Sequence, residues 1–184
     1  MQQETIPLVS VCMITYNHEK YIAEAIHSVV SQKTDFHFEL IISNDTSTDN
    51  TDAVINKQIT LNNNPNLTFR YFNQESNLGM TDNFVFTLKQ SNAKYISLLE
   101  GDDYWTDSSK LQKQVDFLEN HPEIVISGHN AKILNDDNTF RQEKRIGEAR
   151  SMDFSSMELM AGKQIITLTM CFRNVVKEFP PEFY

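Results

Sequence analysis

The sequence predicts an α/β fold with a mainly parallel, Rossmann-like sheet and helices on both of its faces. Short apolar runs alternate with segments of helical periodicity up to about residue 130, a pattern typical of parallel sheets covered on both sides. The first run is apolar throughout, as expected of a strand buried on both faces. Polar, turn-forming residues follow several runs and predict loops at one edge of the sheet.

Five strands are predicted up to about residue 130, each from a run of mostly apolar residues. They cover residues 8–14, 38–43, 67–72, 95–99 and 123–127. Four helices are predicted between them, at about residues 19–32, 49–61, 80–90 and 107–120. In the first helix Ile22, Ile26 and Val29 form an apolar stripe, because positions four and seven residues apart lie on one helix face. In the last helix Leu111 and Val115 are expected to face inward.

The pattern changes after residue 130, where a small mixed portion is predicted. We therefore divide the chain into residues 1–130 and residues 131–184. The elements expected in the second part are a hairpin-like turn at 135–138, a short helix at 154–161 and a strand at 165–172.

Composition and charge narrow the class of protein. The 184 residues, with 40% apolar residues and 22% charged ones, fit one globular domain with a small appendage. The net charge of −9 argues against a general nucleic-acid partner, because phosphates need a basic face. Cys12 and Cys171 lie in apolar runs and are predicted to be buried free thiols in a reducing compartment. The sequence shows neither a signal peptide nor an apolar run of ~20 residues, so we expect a cytoplasmic protein.

Residues 100–105 are the stretch best suited to chemistry. Three carboxylates fall within four positions after a predicted buried strand, where they repel one another unless a cation or hydrogen-bond donors neutralise them. Mg²⁺ and Mn²⁺ prefer such oxygen ligands and often share them with substrate phosphates. The alternative is an acidic turn that caps the next helix, although an ordinary cap needs one carboxylate.

The loops after the first, second and fourth strands are expected to emerge at the same edge of the sheet. Tyr16 offers a ring that can stack on a base, and Asp45 offers an acceptor for a base or a ribose hydroxyl. Asp102 and Asp103 offer a metal site for a diphosphate. Taken singly, each loop residue has a plainer explanation. Tyr16 can be a turn aromatic, Asp45 an Asx-turn residue, and Asn17 a residue that tolerates a left-handed backbone.

Other nucleotide-binding patterns are absent from the sequence. No Gly-x-Gly-x-x-Gly follows the first strand, and no P-loop pattern occurs. The five histidines show no metal-ligand spacing. His129 either faces the cleft or lies on the surface.

Four segments, in order, resemble motifs of family 2 glycosyltransferases of the GT-A fold. Residues 9–17 resemble the opening strand, 41–51 the second-strand motif, 77–79 with Asn83 the next turn and helix, and 100–105 the metal-binding Asp-x-Asp region. The match is collinear from about residue 8 to 120 and looser beyond 130. Two positions depart from the family pattern, since Asn44 stands where an acid is frequent and Glu100 where the first Asp of the metal motif often stands.

The resemblance implies inverting transfer of a sugar from a nucleotide-diphosphate sugar, which we expect to be a UDP-sugar. The acceptor would be a saccharide or a lipid-linked saccharide in polysaccharide, capsule or lipopolysaccharide synthesis, at the inner face of the membrane. The implied cofactor is Mn²⁺ or Mg²⁺, held by Asp103 and Asp102. The implied substrate-binding residues are Thr15, Tyr16, Asn17, Asp45, Asn77, Gly79, Glu100, Asp102 and Trp105.

An inverting transferase also needs a general base near the acceptor hydroxyl. In the family this base is usually an Asp in an acidic pair beyond the strand that residues 165–172 resemble, and no such pair follows here. We therefore expect the base to lie beyond Tyr184, and residues 131–184 to be a partial acceptor-side region. Two other classes stay open. A sugar-nucleotide nucleotidyltransferase should carry a glycine-rich loop after the first strand, where this chain has no glycine, and a nucleotide- or metal-binding module would lack turnover.

Overall fold

In this computed structural model the described residues are 6–135, 137, 139–141, 154–155, 157–158 and 165–175. Within them the sheet has six strands in the order β3-β2-β1-β4-β6-β5. The strands are β1 (Val9–Thr15), β2 (Phe38–Asn44), β3 (Leu67–Asn73), β4 (Tyr95–Glu100), β5 (Ile126–Ser127) and β6 (Cys171–Arg173). The helices are α1 (Ile22–Val30), α2 (Thr51–Thr60), α3 (Met80–Lys89) and α4 (Lys110–Asn120), with a 3₁₀ turn at Thr167–Thr169.

The sheet is parallel over β3, β2, β1 and β4, and β6 joins it antiparallel to both β4 and β5. The predicted α/β fold with a mainly parallel sheet is confirmed. One predicted element is corrected. Residues 165–172 do not form one strand, because the Thr169 hydroxyl donates to the Ile166 carbonyl at 2.7 Å and a 3₁₀ turn forms there. Only the three residues of β6 pair with β4.

The second part of the chain is described only in pieces. Leu134 and Phe140 form an antiparallel bridge, as the predicted hairpin-like turn requires. Met157 and Glu158 are helical, and the other half of the predicted helix at 154–161, residues 156 and 159–161, lies outside the described residues. The predicted fifth strand shortens to β5, because a turn in which the Ile124 N–H donates to the His121 carbonyl precedes it.

The core lies on both faces of the central strand β1. Val11 and Met13 face the larger apolar cluster, which includes side chains of α1, α2 and α4. Cys12 faces the smaller cluster on the opposite side. Cys12 and Cys171 are both buried and free, as predicted, and burial raises the pKa of the Cys171 thiol to about 11. No helix in the described ranges combines the length and the apolar character of a membrane span.

Candidate active site

The carboxyl ends of β1, β2 and β4 lie side by side at one edge of the sheet. Thr15 of β1 is in register with Asn44 of β2, and Ile14 with Glu100 of β4. The pairing continues beyond β2, where the Asp45 N–H donates to the Thr15 carbonyl at 2.9 Å. Because the chain moves outward from β1 on both sides, this edge is a topological switch point, where open α/β sheets bind ligands. The expected convergence of the three loops is observed.

The first loop, after β1, is fastened to the second loop, after β2. The Asn17 N–H donates to the Ser47 hydroxyl at 2.9 Å, and the Asn17 side-chain oxygen accepts from the Thr48 N–H at 2.8 Å. Asn17 has a φ of 56°, so the left-handed backbone expected at this position is present. Its neighbour Tyr16 is 45% exposed. The aromatic ring is therefore available to a ligand on a loop that is itself held in place.

The same two loops also cap each other near the start of α2. The His18 N–H donates to the Thr51 hydroxyl at 2.9 Å, and the Glu19 N–H donates to the Asp49 carboxylate at 3.1 Å. In return the Asn50 N–H donates to the Glu19 carboxylate at 2.9 Å. These reciprocal bonds leave the first loop little freedom to move independently of the second.

Asp45 joins the second loop to the turn that precedes α3. It is only 3% exposed, and its two carboxylate oxygens accept from the Leu78 N–H at 2.7 Å and the Gly79 N–H at 2.9 Å. The Asn77 amide donates to the Asp45 carbonyl at 3.1 Å, and Gly79 has a φ of 82°. Asp45, Asn77 and Gly79 therefore lie together, and their hydrogen bonds hold the turn before α3 against the second loop. Their contact with a substrate stays a prediction.

Thr46 is a strained residue next to Asp45 that the sequence analysis did not single out. Its φ is 60°, which is unusual for a β-branched residue. Its hydroxyl donates to the Gln74 carbonyl at 3.0 Å. Such conformations cost about 1–3 kcal/mol and cluster at binding sites, and the residue type alone gave no signal of it.

His18 is a second residue that the sequence analysis did not place in the site. Its Nδ1 lies 3.2 Å from the Thr15 hydroxyl, and its Nε2 lies 3.9 Å from a carboxylate oxygen of Asp102. Gly101 permits this approach, because a Cβ there would lie 2.6 Å from the Thr15 hydroxyl and 2.9 Å from His18 Nδ1. His129, by contrast, is exposed. The only sequence feature that could have indicated a role for His18 in the site is its position in the polar loop after the first strand.

The acidic residues of the third loop, after β4, form a possible metal site. The Asp102 side chain is 53% exposed, while Asp103 and Glu100 are partly buried. Among the described residues no group of three or more His, Cys, Asp or Glu side chains converges on one point. Mg²⁺ usually takes only one or two protein carboxylates and completes its shell with water and phosphate oxygens. Two carboxylates such as those of Asp102 and Asp103 are therefore enough for a hard divalent ion shared with a diphosphate, and their role as metal ligands stays a prediction.

A different carboxylate, that of Asp107, forms the turn that leads into α4. α4 begins at Lys110, three residues later than predicted, and the Ser109 N–H before it donates to the Asp107 carboxylate at 2.9 Å. Asp107 also binds the Lys113 ammonium at 2.7 Å, and this bond lowers the Asp107 pKa. The N-cap of α4, Ser109, makes no side-chain cap hydrogen bond, so the structure gives no support to the explanation of residues 100–105 as a helix cap.

Trp105 is an internal anchor of the third loop. It is 6% exposed, and its indole N–H donates to the Leu168 carbonyl at 2.9 Å. The Lys110 ammonium lies 4.0 Å from the ring centroid and donates to Ser97 at 3.1 Å and Gln114 at 2.7 Å. Burial lowers the pKa of Lys110 to about 7. The expected contact of Trp105 with substrate stays a prediction, and its observed surroundings are those of a core residue.

Comparison with known families gives one assignment. The model of the family described as Glycosyl transferase family 2 matches residues 10–178. An uncharacterized protein of Mycobacterium tuberculosis is 40% identical over 128 residues, which cover 70% of this chain and 36% of that protein. An uncharacterized glycosyltransferase of Haemophilus influenzae is 30% identical over 170 residues, which cover 90% of this chain and 62% of that protein. The chain thus spans about a third of the mycobacterial relative.

Solved structures share the fold. TarS of S. aureus, in its complex with UDP, superposes with a TM-score of 0.58 at 22% identity, covering 91% of this chain and 47% of that one. The mannosyltransferase PcManGT of Pyrobaculum calidifontis, in complex with GDP-Man and Mn²⁺, superposes with a TM-score of 0.57 at 20% identity, covering 67% of this chain and 35% of that one. The expected GT-A architecture is confirmed by these likenesses.

Proposed function

Since the chain belongs to glycosyltransferase family 2, we propose that it binds a UDP-sugar through a divalent metal for inverting transfer to an acceptor hydroxyl. The acceptor is a saccharide or a lipid-linked saccharide in polysaccharide, capsule or lipopolysaccharide synthesis. The buried free thiols Cys12 and Cys171 support a reducing, cytoplasmic setting, and the family resemblance favours the inner face of the membrane.

One observation carries the proposal. An exposed aromatic ring, a buried carboxylate and an acidic pair occupy three adjoining loops at the switch point of the sheet. These are the groups that stack on a base, accept from its donors and hold a metal–diphosphate. The UDP in the TarS complex and the GDP-Man and Mn²⁺ in the PcManGT complex support the ligand class.

Each of the three loops contributes a different contact to the donor in this proposal. Tyr16 stacks on the uracil, with Thr15 lining the same pocket, and Asp45 accepts from the base. Asp103 and Asp102 hold Mn²⁺ or Mg²⁺, and Glu100 accepts from a donor hydroxyl or a metal-bound water. The ion, when bound, stabilises the departing diphosphate as a Lewis acid.

The proposal predicts that UDP binding depends on the metal and on Asp103. Asp103→Asn keeps the shape of the side chain but removes its charge, and the loss of a charge-assisted contact lowers affinity about 10- to 100-fold. Calorimetry with UDP and Mn²⁺ measures this loss, and EDTA should weaken UDP binding to the wild type similarly. The matched control is Asp116→Asn, an exposed position on α4 whose carboxylate binds Gln112. Equal UDP affinity with and without EDTA, in wild type and Asp103→Asn alike, would refute the proposal.

A further inference from the structure

We propose that Tyr71 of β3 and Asp52 of α2 are positioning residues for the loop that carries Tyr16. Neither lies in the three loops of the site. The inference rests on the proposed function, in which the Tyr16 ring stacks on the base. In this inference, Tyr71 and Asp52 hold the first loop in the conformation that presents the Tyr16 ring to the ligand.

A continuous hydrogen-bond relay connects these residues to the first loop. The Tyr71 hydroxyl donates to the Asp52 carboxylate at 2.6 Å and accepts from the Asn44 amide at 3.2 Å. The Asn44 side-chain oxygen accepts from both the N–H and the hydroxyl of Ser47, at 3.2 and 2.5 Å. The Ser47 hydroxyl in turn accepts from the N–H of Asn17 at 2.9 Å. Asn17 is the residue that directly follows Tyr16.

The relay runs in one direction because the phenol has a single proton. That proton is donated to Asp52, whose carboxylate can only accept. Burial, followed by the hydrogen bond to Asp52, raises the pKa of Tyr71 well above its usual range, so the phenol stays protonated. Residue 44 must therefore donate to Tyr71 while accepting from Ser47. The exposed Asn56 adds a further bond to the Asp52 carboxylate at 3.1 Å.

Only a side chain with both a donor and an acceptor can fill position 44. Asn44 is fully buried, and its amide supplies both groups. An aspartate there would place a second carboxylate beside a phenol whose proton is already used by Asp52. The carboxylate that accepts the phenol's proton belongs to Asp52, in the first turn of α2.

The test exchanges the two side chains that flank the Tyr71 hydroxyl, those of Asn44 and Asp52. Asn44→Asp should lower UDP affinity about 3- to 10-fold, the effect of one or two lost buried hydrogen bonds, while pyrophosphate affinity stays unchanged. Asp52→Asn keeps an acceptor for the phenol and should have the smaller effect. The double variant restores a donor–acceptor match with Tyr71 and should recover most of the UDP affinity. Tyr71→Phe tests the phenol itself, and Tyr95→Phe, a buried phenol bonded to Arg173 outside the loops, is the matched control.

Amide hydrogen exchange at Asn17 and Ser47 separates this inference from the proposed function. Faster exchange in Asn44→Asp and Tyr71→Phe, and its reversal in the double variant, supports the relay. Unchanged exchange in both single variants would overturn the inference. Equal losses of affinity for UDP and pyrophosphate would also overturn it, as would a double variant whose loss of UDP affinity is the sum of the losses in Asn44→Asp and Asp52→Asn. If the wild type binds UDP no better than pyrophosphate, the proposed function fails, while the exchange rates still decide whether the relay holds the loop.

Discussion

Asp45 combines two tasks at the scale of a single residue. Its carboxylate holds the turn before α3 through two backbone N–H groups, and in the proposed function it also accepts from the base. Each carboxylate oxygen can accept more than one hydrogen bond, so the two tasks are compatible. A substitution at this position should therefore affect both folding and ligand recognition.

We predict that Asp45→Ala lowers the free energy of unfolding by about 1–3 kcal/mol, because two backbone N–H groups lose a charged acceptor. It should also weaken UDP more than it weakens pyrophosphate, because pyrophosphate carries no base. Urea unfolding and calorimetry with the two ligands measure these effects. If both ligands weaken equally, Asp45 holds the turn and does not recognise the base. An unchanged free energy of unfolding would contradict its role in the turn.

At the scale of elements, α4 is joined to the sheet through a buried cation. Lys110 is 4% exposed, and its described partners Ser97, Gln114 and Trp105 are all neutral. Burial disfavours the charged form. The lysine connects the third loop, through Trp105, to the first turn of α4. This packing costs stability whenever the ammonium is protonated.

We predict that the cost of Lys110 depends on pH. Its folded-state pKa is about 7, against an ordinary value of 10.5, so between these values the unfolded chain binds more protons and stability rises with pH. The unfolding free energy of the wild type, relative to that of Lys110→Met, should therefore increase from pH 6.5 to pH 9.5, by about 3 kcal/mol at most. Both proteins retain Cys171, whose pKa is raised by burial to about 11 in the wild type, so its folded-state thiol stays mostly protonated up to pH 9.5. Urea unfolding at the two pH values measures the change.

The control for this prediction is Lys113→Met, which removes an exposed lysine of the same helix. Its stability difference from the wild type should show no comparable increase with pH. Equal pH dependence in Lys110→Met and the wild type would mean that Lys110 is not desolvated as its position indicates.

At the scale of the whole molecule, the sheet and the positions of its loops could be predicted from the sequence. The alternation of strands and helices requires β1, β2 and β4 to end at one edge, and Tyr16, Asp45 and Asp102 were placed there correctly. What the pattern could not show are contacts between distant positions. Tyr71 reads in sequence as one more apolar strand residue, and its hydrogen bond to Asp52 depends on the packing of α2 against β3. Lys110 likewise resembles a solvated helix residue until the fold buries it.

At the scale of the whole molecule we also predict that the chain binds its nucleotide donor but transfers the sugar slowly. It spans 36% of the mycobacterial relative, and no acidic pair that could supply the general base follows residues 165–172 in the sequence. Because general-base catalysis contributes about 10²- to 10⁴-fold, UDP should bind in the presence of Mn²⁺ while sugar transfer is slower by that factor than in the longer Haemophilus relative. Release of UDP from a panel of UDP-sugars with saccharide acceptors measures this. Transfer at the relative's rate would contradict the prediction and direct the search for a base to Glu100, Asp153 and Glu158.

The reciprocal bonds between the first two loops have a consequence for protein engineering. Asn17 depends on Ser47 and Thr48 for its backbone geometry, and Glu19 depends on Asp49 and Asn50. A first loop grafted from another enzyme would arrive without these partners. If the first loop selects the base as proposed, donor preference depends on both loops together, and libraries that vary both loops explore sequences that single-loop exchange cannot reach.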